Sequence, residues 1–354
     1  MKTAVAPVLA CLLAMPIHAQ TPSALFELPA PTGKLPVGTT RWVVVDPARD
    51  ETFAPGKPRE VEVIAWYPRA GGTPATGARD TAPYMRDGME EVLSFARLAK
   101  LGDAYNGLVN VGTHAIIDAA PAATPAQFPV IVFSHGYTGL PSSHTGLMED
   151  LASHGWAALH VVHPYDATGS KLSDGTVITF TNDANAMRPE IMAVLNEWKQ
   201  EGATMEKVVA ATDGTEREGL LRGYLATLKN TDQVVRRWVA DVKVVFDRLP
   251  KTGPGSQLAA KLDLSRLGVA GHSMGGVMAG QFCVEDRRCK GPGRPEYTIR
   301  NGAGNGVSII VPYCGMPSKL SAAAPARVTI YIVVRHPSTT GSTSPTRCTS
   351  TLRR

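Results

Sequence analysis

The chain has 354 residues, 44% of them hydrophobic, enough to bury a sizeable core as one large domain or two small ones. Its formal charge of +5 is unevenly placed: from Gly291 onward there are eight Lys and Arg against one acid, Glu296, so the tail carries +7 and everything before it −2. The basic balance therefore belongs to the tail, and no basic stripe interleaved with aromatics is present, which excludes a nucleic-acid-binding face.

The opening "MKTAVAPVLACLLAMPIHAQ" joins Lys2 to an apolar run from Ala4 to Met15 and a small-residue triplet ending at Ala19. It reads as a secretory signal peptide over residues 1–19, too short to span a bilayer, while Pro7 and Pro16 argue against a buried first helix. No other segment is long and apolar enough to cross a membrane. Four cysteines remain, of which Cys283 and Cys289 are close enough to pair in an exported chain. No zinc spacing occurs, and no metal or other cofactor is expected.

Residues 20–40 are an extended lead-in. "TRWVVVD" (Thr40 to Asp46) and "REVEVIAWYP" (Arg59 to Pro68) are dense in β-branched and aromatic residues and read as strands joined by a polar turn. Residues 69–81 read as a loop. "FPVIVFSHG" (Phe128 to Gly136) is a continuous apolar run of the kind a buried parallel strand needs. A helical pattern over Ser142 to Gly155 and a strand over Trp156 to Pro164 follow, so the order implies a right-handed crossover. Residues 183–230 are polar and helical in pattern and read as an insertion, a candidate lid. From Thr231 to Leu249 the residues Val234, Val235, Trp238, Val239, Val242, Val245 and Phe246 recur at spacings of three and four, which predicts a helix covering a sheet. "LSRLGVAGHSMGG" (Leu264 to Gly276) reads as strand, sharp turn and helix start.

Gly271-His272-Ser273-Met274-Gly275 fits G-x-S-x-G. In that turn the residues two before and two after the serine must be small, and the hydroxyl points out over a helix N-terminus, where developing negative charge is favoured. Ser273 is therefore the candidate nucleophile, with Gly271 and Gly275 as the elbow glycines. "FSHGYTG" (Phe133 to Gly139) ends the first central strand, and a loop there supplies the second oxyanion donor of such a site. The backbone amides of Tyr137 and Met274 are the expected oxyanion hole, with His135 and Gly136 shaping the loop. His160 and His163 in "HVVHP" read as strand residues rather than a metal pair, and His144 and His154 as surface or cap residues. Trp66 and Trp156 read as core.

Together, "PVIVFSHGYTGLPSSHTGLMEDLASHGWAALHVVHP", the "VVVDPARD…REVEVIAWYP" lead-in and "GHSMGG" resemble the secreted platelet-activating-factor acetylhydrolase family over roughly residues 35–290. Bacterial polyester hydrolases are similar over the same core. The resemblance implies an α/β-hydrolase domain over 20–290, a mostly parallel sheet flanked by helices. It implies a metal-free esterase that cleaves short or oxidised acyl esters through Ser, Asp and His in that chain order. The partner would be a small-molecule or lipid ester; oligomeric state is left open.

The acid and base are not legible. After Asp286 the chain has no Asp; its only later side-chain carboxylate is Glu296 and its only later His is His336, which follows the strand-like "RVTIYIVV". The tail over 291–354 is instead rich in Ser, Thr and Arg. Reading codons one base earlier turns Thr codons into Tyr, His, Asn or Asp and Ser codons into apolar ones, so that "STTGSTSPTRCTSTLR" yields an acid-bearing "LHLDF"-like segment. "GPGRP", read one base later, yields "DLDG". Residues after about 290 are therefore expected to be out of frame, leaving the C-terminal part of the fold missing or disordered and the chain as printed either an esterase or a hydrolase-like protein without its triad.

Overall fold

The computed structural model describes residues 26–71, 81–289 and 308–310. The signal peptide read over 1–19 lies outside them, as does the tail from 291 apart from residues 308–310.

Val37–Glu51 (β1) and Ala54–Pro68 (β2) pair antiparallel. The polar stretch expected to form a turn is mostly strand, because the ladder continues through an irregularity between Asp46 and Asp50. Glu90–Leu98 (α1) follows, then Ile116–Ile117 (β3), parallel to the start of β1. Phe128–Ser134 (β4), Thr145–Ser153 (α2) and Ala157–Val162 (β5) make the strand–helix–strand unit; β4 and β5 are parallel and β2 runs antiparallel to β5. Ser142 to His144, expected as helix, belong to a 3-10 turn, Pro141–His144, that leads into α2. Ser170–Lys171 (β6) and Val177–Ile178 (β7) form a separate ribbon.

Pro189–Glu197 (α3), Glu201–Ala210 (α4) and Gly214–Leu225 (α5) fill most of 183–230, and Lys229–Asp247 (α6) is the long covering helix. After Ser256–Ala259 (α7), Leu262–Gly271 (β8) adds parallel to β4 and leads into Met274–Glu285 (α8). Ser308–Ile310 (β9) extends the sheet parallel to β8. The order β3-β1-β2-β5-β4-β8-β9 gives a mostly parallel sheet.

The period-2 alternation of β4 divides the core. Val130 and Val132 face a cluster with Trp238, Val242 and Val245 of α6 and Met278 of α8, while Ile131 and Phe133 face Met148, Leu151 and Ala152 of α2. Helices thus cover both faces. Cys283 and Cys289 pair as a disulfide at the end of α8. The bridged loop is short, so reduction is expected to cost about 2 kcal/mol, read as a lower urea midpoint with dithiothreitol. An unchanged midpoint would show that the bridge constrains nothing.

One buried acid on β2 carries a pH signature. Glu62 accepts hydrogen bonds from the Lys171 amide at 2.9 Å and Ser170 Oγ at 3.2 Å, with Arg41 Nη1 at 3.5 Å. Burial pushes its carboxyl up to about 7, against the opposing pull of the Lys171 amide and Arg41. A carboxyl raised on folding stabilises fully below its unfolded value, 4.5, and that contribution is lost as pH climbs through about 7. Glu62→Gln is expected to be near neutral at pH 4.5 and to raise stability by about 3 kcal/mol at pH 8. Urea melts at both pH values check this; equal shifts at both would contradict it.

Candidate active site

Strand β8 ends at Gly271 and helix α8 begins at Met274, leaving two residues to reverse the chain. Ser273 takes φ 51°, ψ −116°, a left-handed conformation that an L-residue with a Cβ adopts only under strain. The surroundings enforce it. A Cβ on Gly271 would overlap the Gly275 backbone, and one on Gly275 would overlap the Ser134 carbonyl and come 2.7 Å from the His135 carbonyl oxygen. The His272 amide donates to the Ser134 carbonyl at 3.0 Å, tying the elbow to the end of β4. Ser273 is therefore the N-cap of a 12-residue helix whose dipole points at its side chain.

The "HGYTG" loop closes against this elbow. A Cβ built on Gly136 would lie 3.5 Å from Ser273 Cβ and 2.7 Å from His272 Nδ1, so the loop backbone lies directly beside the serine and the His272 ring. The Gly139 amide donates to the Gly136 carbonyl at 2.9 Å and the Thr138 amide to the Asp166 carbonyl at 2.7 Å. At the elbow, the amides of Gly275, Gly276 and Val277 turn back to His272 and Ser273 carbonyls. Among the described residues the amides of Tyr137 and Met274 have no acceptor, nor do those of Gly136 and Ser273 beside them. The Tyr137 ring is buried between Trp198, after α3, and Trp238 of α6, at centroid distances of 5.6 and 6.3 Å.

Histidines cluster at the elbow: His135, His160 and His163 are fully buried beneath it, His144 is half-buried and His272 is exposed. His272 and His144 rings are 5.8 Å apart, and His144 also packs on Phe133 and His160. His144 is the N-cap and His154 the C-cap of α2, as one of the two readings had it, but His144 is not on the surface: the 3-10 turn before α2 rolls it inward, and burial brings its pKa down to about 4. His154 is exposed and contacts Thr32 and Asp150. His163 is fully buried, with Nδ1 donating to Asp241 Oδ2 at 2.8 Å and Nε2 3.0 Å from Ser134 Oγ. Both its nitrogens are engaged, so it is not half of a metal pair with His160. Ser134, His163 and Asp241 repeat a serine–histidine–carboxylate connectivity, yet all three are inaccessible to substrate.

Asp241 is the centre of a buried charge cluster. Arg59 grips both its oxygens at 3.2 and 2.7 Å and also binds Glu51 at 2.7 Å. Burial would raise the Asp241 carboxyl, but the Arg59 charge and the hydrogen bonds from His163 and Arg59 hold it well below the carboxylate range. Burial lowers the His163 pKa against the opposing pull of Asp241, which favours its neutral imidazole. Sequence reading missed this cluster. Its signal was a carboxylate inside an apolar stripe: Asp241 sits three residues beyond Trp238 on the covered face of α6.

No acid–histidine pair reaches Ser273 among the described residues. Glu285 and Asp286 lie at the far end of α8, bound to Lys243 and Arg288. Glu296 and His336 lie outside the described residues. Two cavities of about 430 and 360 Å³ open along β1 around Arg41, away from the elbow.

A family model described as platelet-activating factor acetylhydrolase, isoform II, matches residues 23–291, well over half of the chain. The chain belongs to this family. Its matched span holds the whole described sheet up to α8, the elbow and the facing loop, and stops where the composition of the chain changes. A solved ferulic acid esterase from Streptomyces cinnamoneus is similar at 30% identity with a TM-score of 0.50, over 75% of this chain and 60% of that one. The chain thus spans about 60% of the length of that esterase. No curated protein matches it. The α/β-hydrolase architecture implied by the sequence motifs is the fold of this family member.

Proposed function

We propose that the chain is a secreted serine hydrolase of carboxylic esters, with Ser273 as nucleophile and the Tyr137 and Met274 amides as oxyanion hole. The observation that carries this is the juxtaposition of a strained serine at a helix N-terminus with two unengaged amides on facing loops. Ser273 Oγ attacks the ester carbonyl, the oxygen gains charge between the two amides, and collapse expels the alcohol to leave acyl-Ser273. A histidine takes the serine proton and returns it to the alcohol, and water then releases the acid. The substrate is a short acyl ester, with acetylated or oxidised-acyl phospholipid as the family's implied class. Export follows from the leader read over residues 1–19.

A second esterase reading is a general or polyester carboxylesterase, favoured by the likeness to a ferulic acid esterase. Relative kcat/KM on acetylated phospholipid, nitrophenyl esters of increasing chain length, feruloyl esters and polyester film separates them. A third reading is a hydrolase-like protein without catalysis, favoured by the absence of an acid–histidine pair at Ser273 among the described residues. Labelling of folded protein with a fluorophosphonate decides it: adduct on Ser273 supports the hydrolase, and none in folded protein supports the inactive reading. Resequencing the source DNA across codons 290–354 tests the frame; a confirmed frame as printed would leave His336 as the only later base.

A further inference from the structure

Two sets of buried hydrogen bonds meet at His163, one from its side chain to Asp241 on α6 and one from its backbone amide toward the loop facing Ser273. Asp241, ionised beside Arg59, accepts from His163 Nδ1. That leaves His163 Nε2 as an acceptor, which takes the Ser134 hydroxyl at 3.0 Å. The His163 backbone amide donates to His135 Nε2 at 3.0 Å, so His135 carries its proton on Nδ1 and donates it to the Gly136 carbonyl at 2.7 Å. The Asp241 charge sets the His163 side-chain tautomer, and the His163 backbone N–H, always a donor, sets that of His135; the two meet in the placement of His163 itself. The last acceptor in the series is the carbonyl of the peptide whose N–H belongs to Tyr137.

Trp238 braces the same path. It stacks on His163 with centroids 4.0 Å apart and planes within 7°, and meets His135 edge-on at 5.0 Å. A buried ion pair of this kind is a poor source of stability compared with apolar side chains of the same volume. Its directional effect falls on the Gly136–Tyr137 peptide.

We propose that Asp241 and His163 are positioning residues that set the orientation of the Tyr137 amide toward the oxyanion, acting through His135 and Gly136. This rests on the reading of Tyr137 as an oxyanion donor. His163 touches no substrate; it fixes where a donor points, and a displaced donor weakens transition-state binding while ground-state binding is kept.

The test uses the full chain and the rate at which a fluorophosphonate labels Ser273, because phosphonylation also develops charge on an oxygen held by the hole. His163→Phe keeps the stack on Trp238 and deletes the side-chain hydrogen bonds to Asp241 and Ser134 that hold the residue's backbone amide in place; His163→Asn gives up ring volume but restores a donor near Nδ1 toward Asp241. His163→Phe is expected to label roughly tenfold or more slowly than the parent, with near-UV circular dichroism unchanged. His163→Asn is expected to label faster than His163→Phe despite poorer packing. A role in packing alone reverses that order, so a His163→Phe rate equal to the parent, or above His163→Asn, overturns the proposal. Hydrogen exchange of the Thr138 amide, bonded to the Asp166 carbonyl beside the Tyr137 peptide, gives a readout free of turnover: faster exchange in His163→Phe is expected, and unchanged exchange counts against. Failure of the parent itself to label at Ser273 overturns the hydrolase reading and this proposal with it.

Discussion

Ser273→Ala is expected to abolish fluorophosphonate labelling and to lower kcat/KM on a short nitrophenyl ester by roughly four powers of ten or more, since only the oxyanion donors and binding remain. The same position carries a stability signature that a surface serine lacks. Its φ of 51° with ψ −116° suits glycine and strains every other residue. Ser273→Gly is therefore expected to be as inactive as the alanine variant yet more stable than the parent, by about 1 kcal/mol after the added chain entropy of glycine is subtracted. Urea unfolding of the three proteins reads the difference. A glycine variant less stable than the alanine variant would mean that the elbow is not strained, and would remove the main structural reason for singling out this serine.

The central sheet was legible because its strands are buried on both faces. "FPVIVFS" and "AALHVV" have no polar face to blur the pattern, and the spacing along α6 marks its covered stripe. The elbow was legible because its glycines are dictated by backbone overlap, a local constraint. The β1–β2 turn was misplaced because most of its residues are exposed whether in a strand or a loop, and the one buried acid among them, Glu51, is held by Arg59. The place of His144 as a cap of α2 was legible, but its inward orientation was not, because that depends on Phe133 and His160 of two different strands. Asp241, His163 and Arg59 are separated by up to 182 positions, and only the sheet order brings them together. A charged residue inside an apolar stripe was the one local hint of that cluster.

The glycines around Ser273 separate folding from catalysis. Gly275→Ala places a Cβ onto the Ser134 carbonyl and 2.7 Å from the His135 carbonyl oxygen. Both are backbone atoms at the buried end of β4, so neither can swing aside, and alanine's better helix propensity, about 1 kcal/mol, does not offset the overlap. A loss of about 4 kcal/mol or more is expected, enough to leave the variant largely unfolded. Gly136→Ala differs in kind. Its Cβ meets the His272 ring at 2.7 Å and Ser273 Cβ at 3.5 Å. The imidazole is the end of a side chain and can rotate away, so the fold should persist. The methyl then sits against the nucleophile, where substrate must approach. Gly136→Ala is expected to keep a cooperative unfolding transition while losing roughly two powers of ten in the rate of Ser273 phosphonylation. Measured side by side, the first variant should fail by circular dichroism and the second only by labelling. If Gly275→Ala folds normally, or Gly136→Ala labels at the parent rate, the close approach of β4, its following loop and the elbow is not what shapes this site.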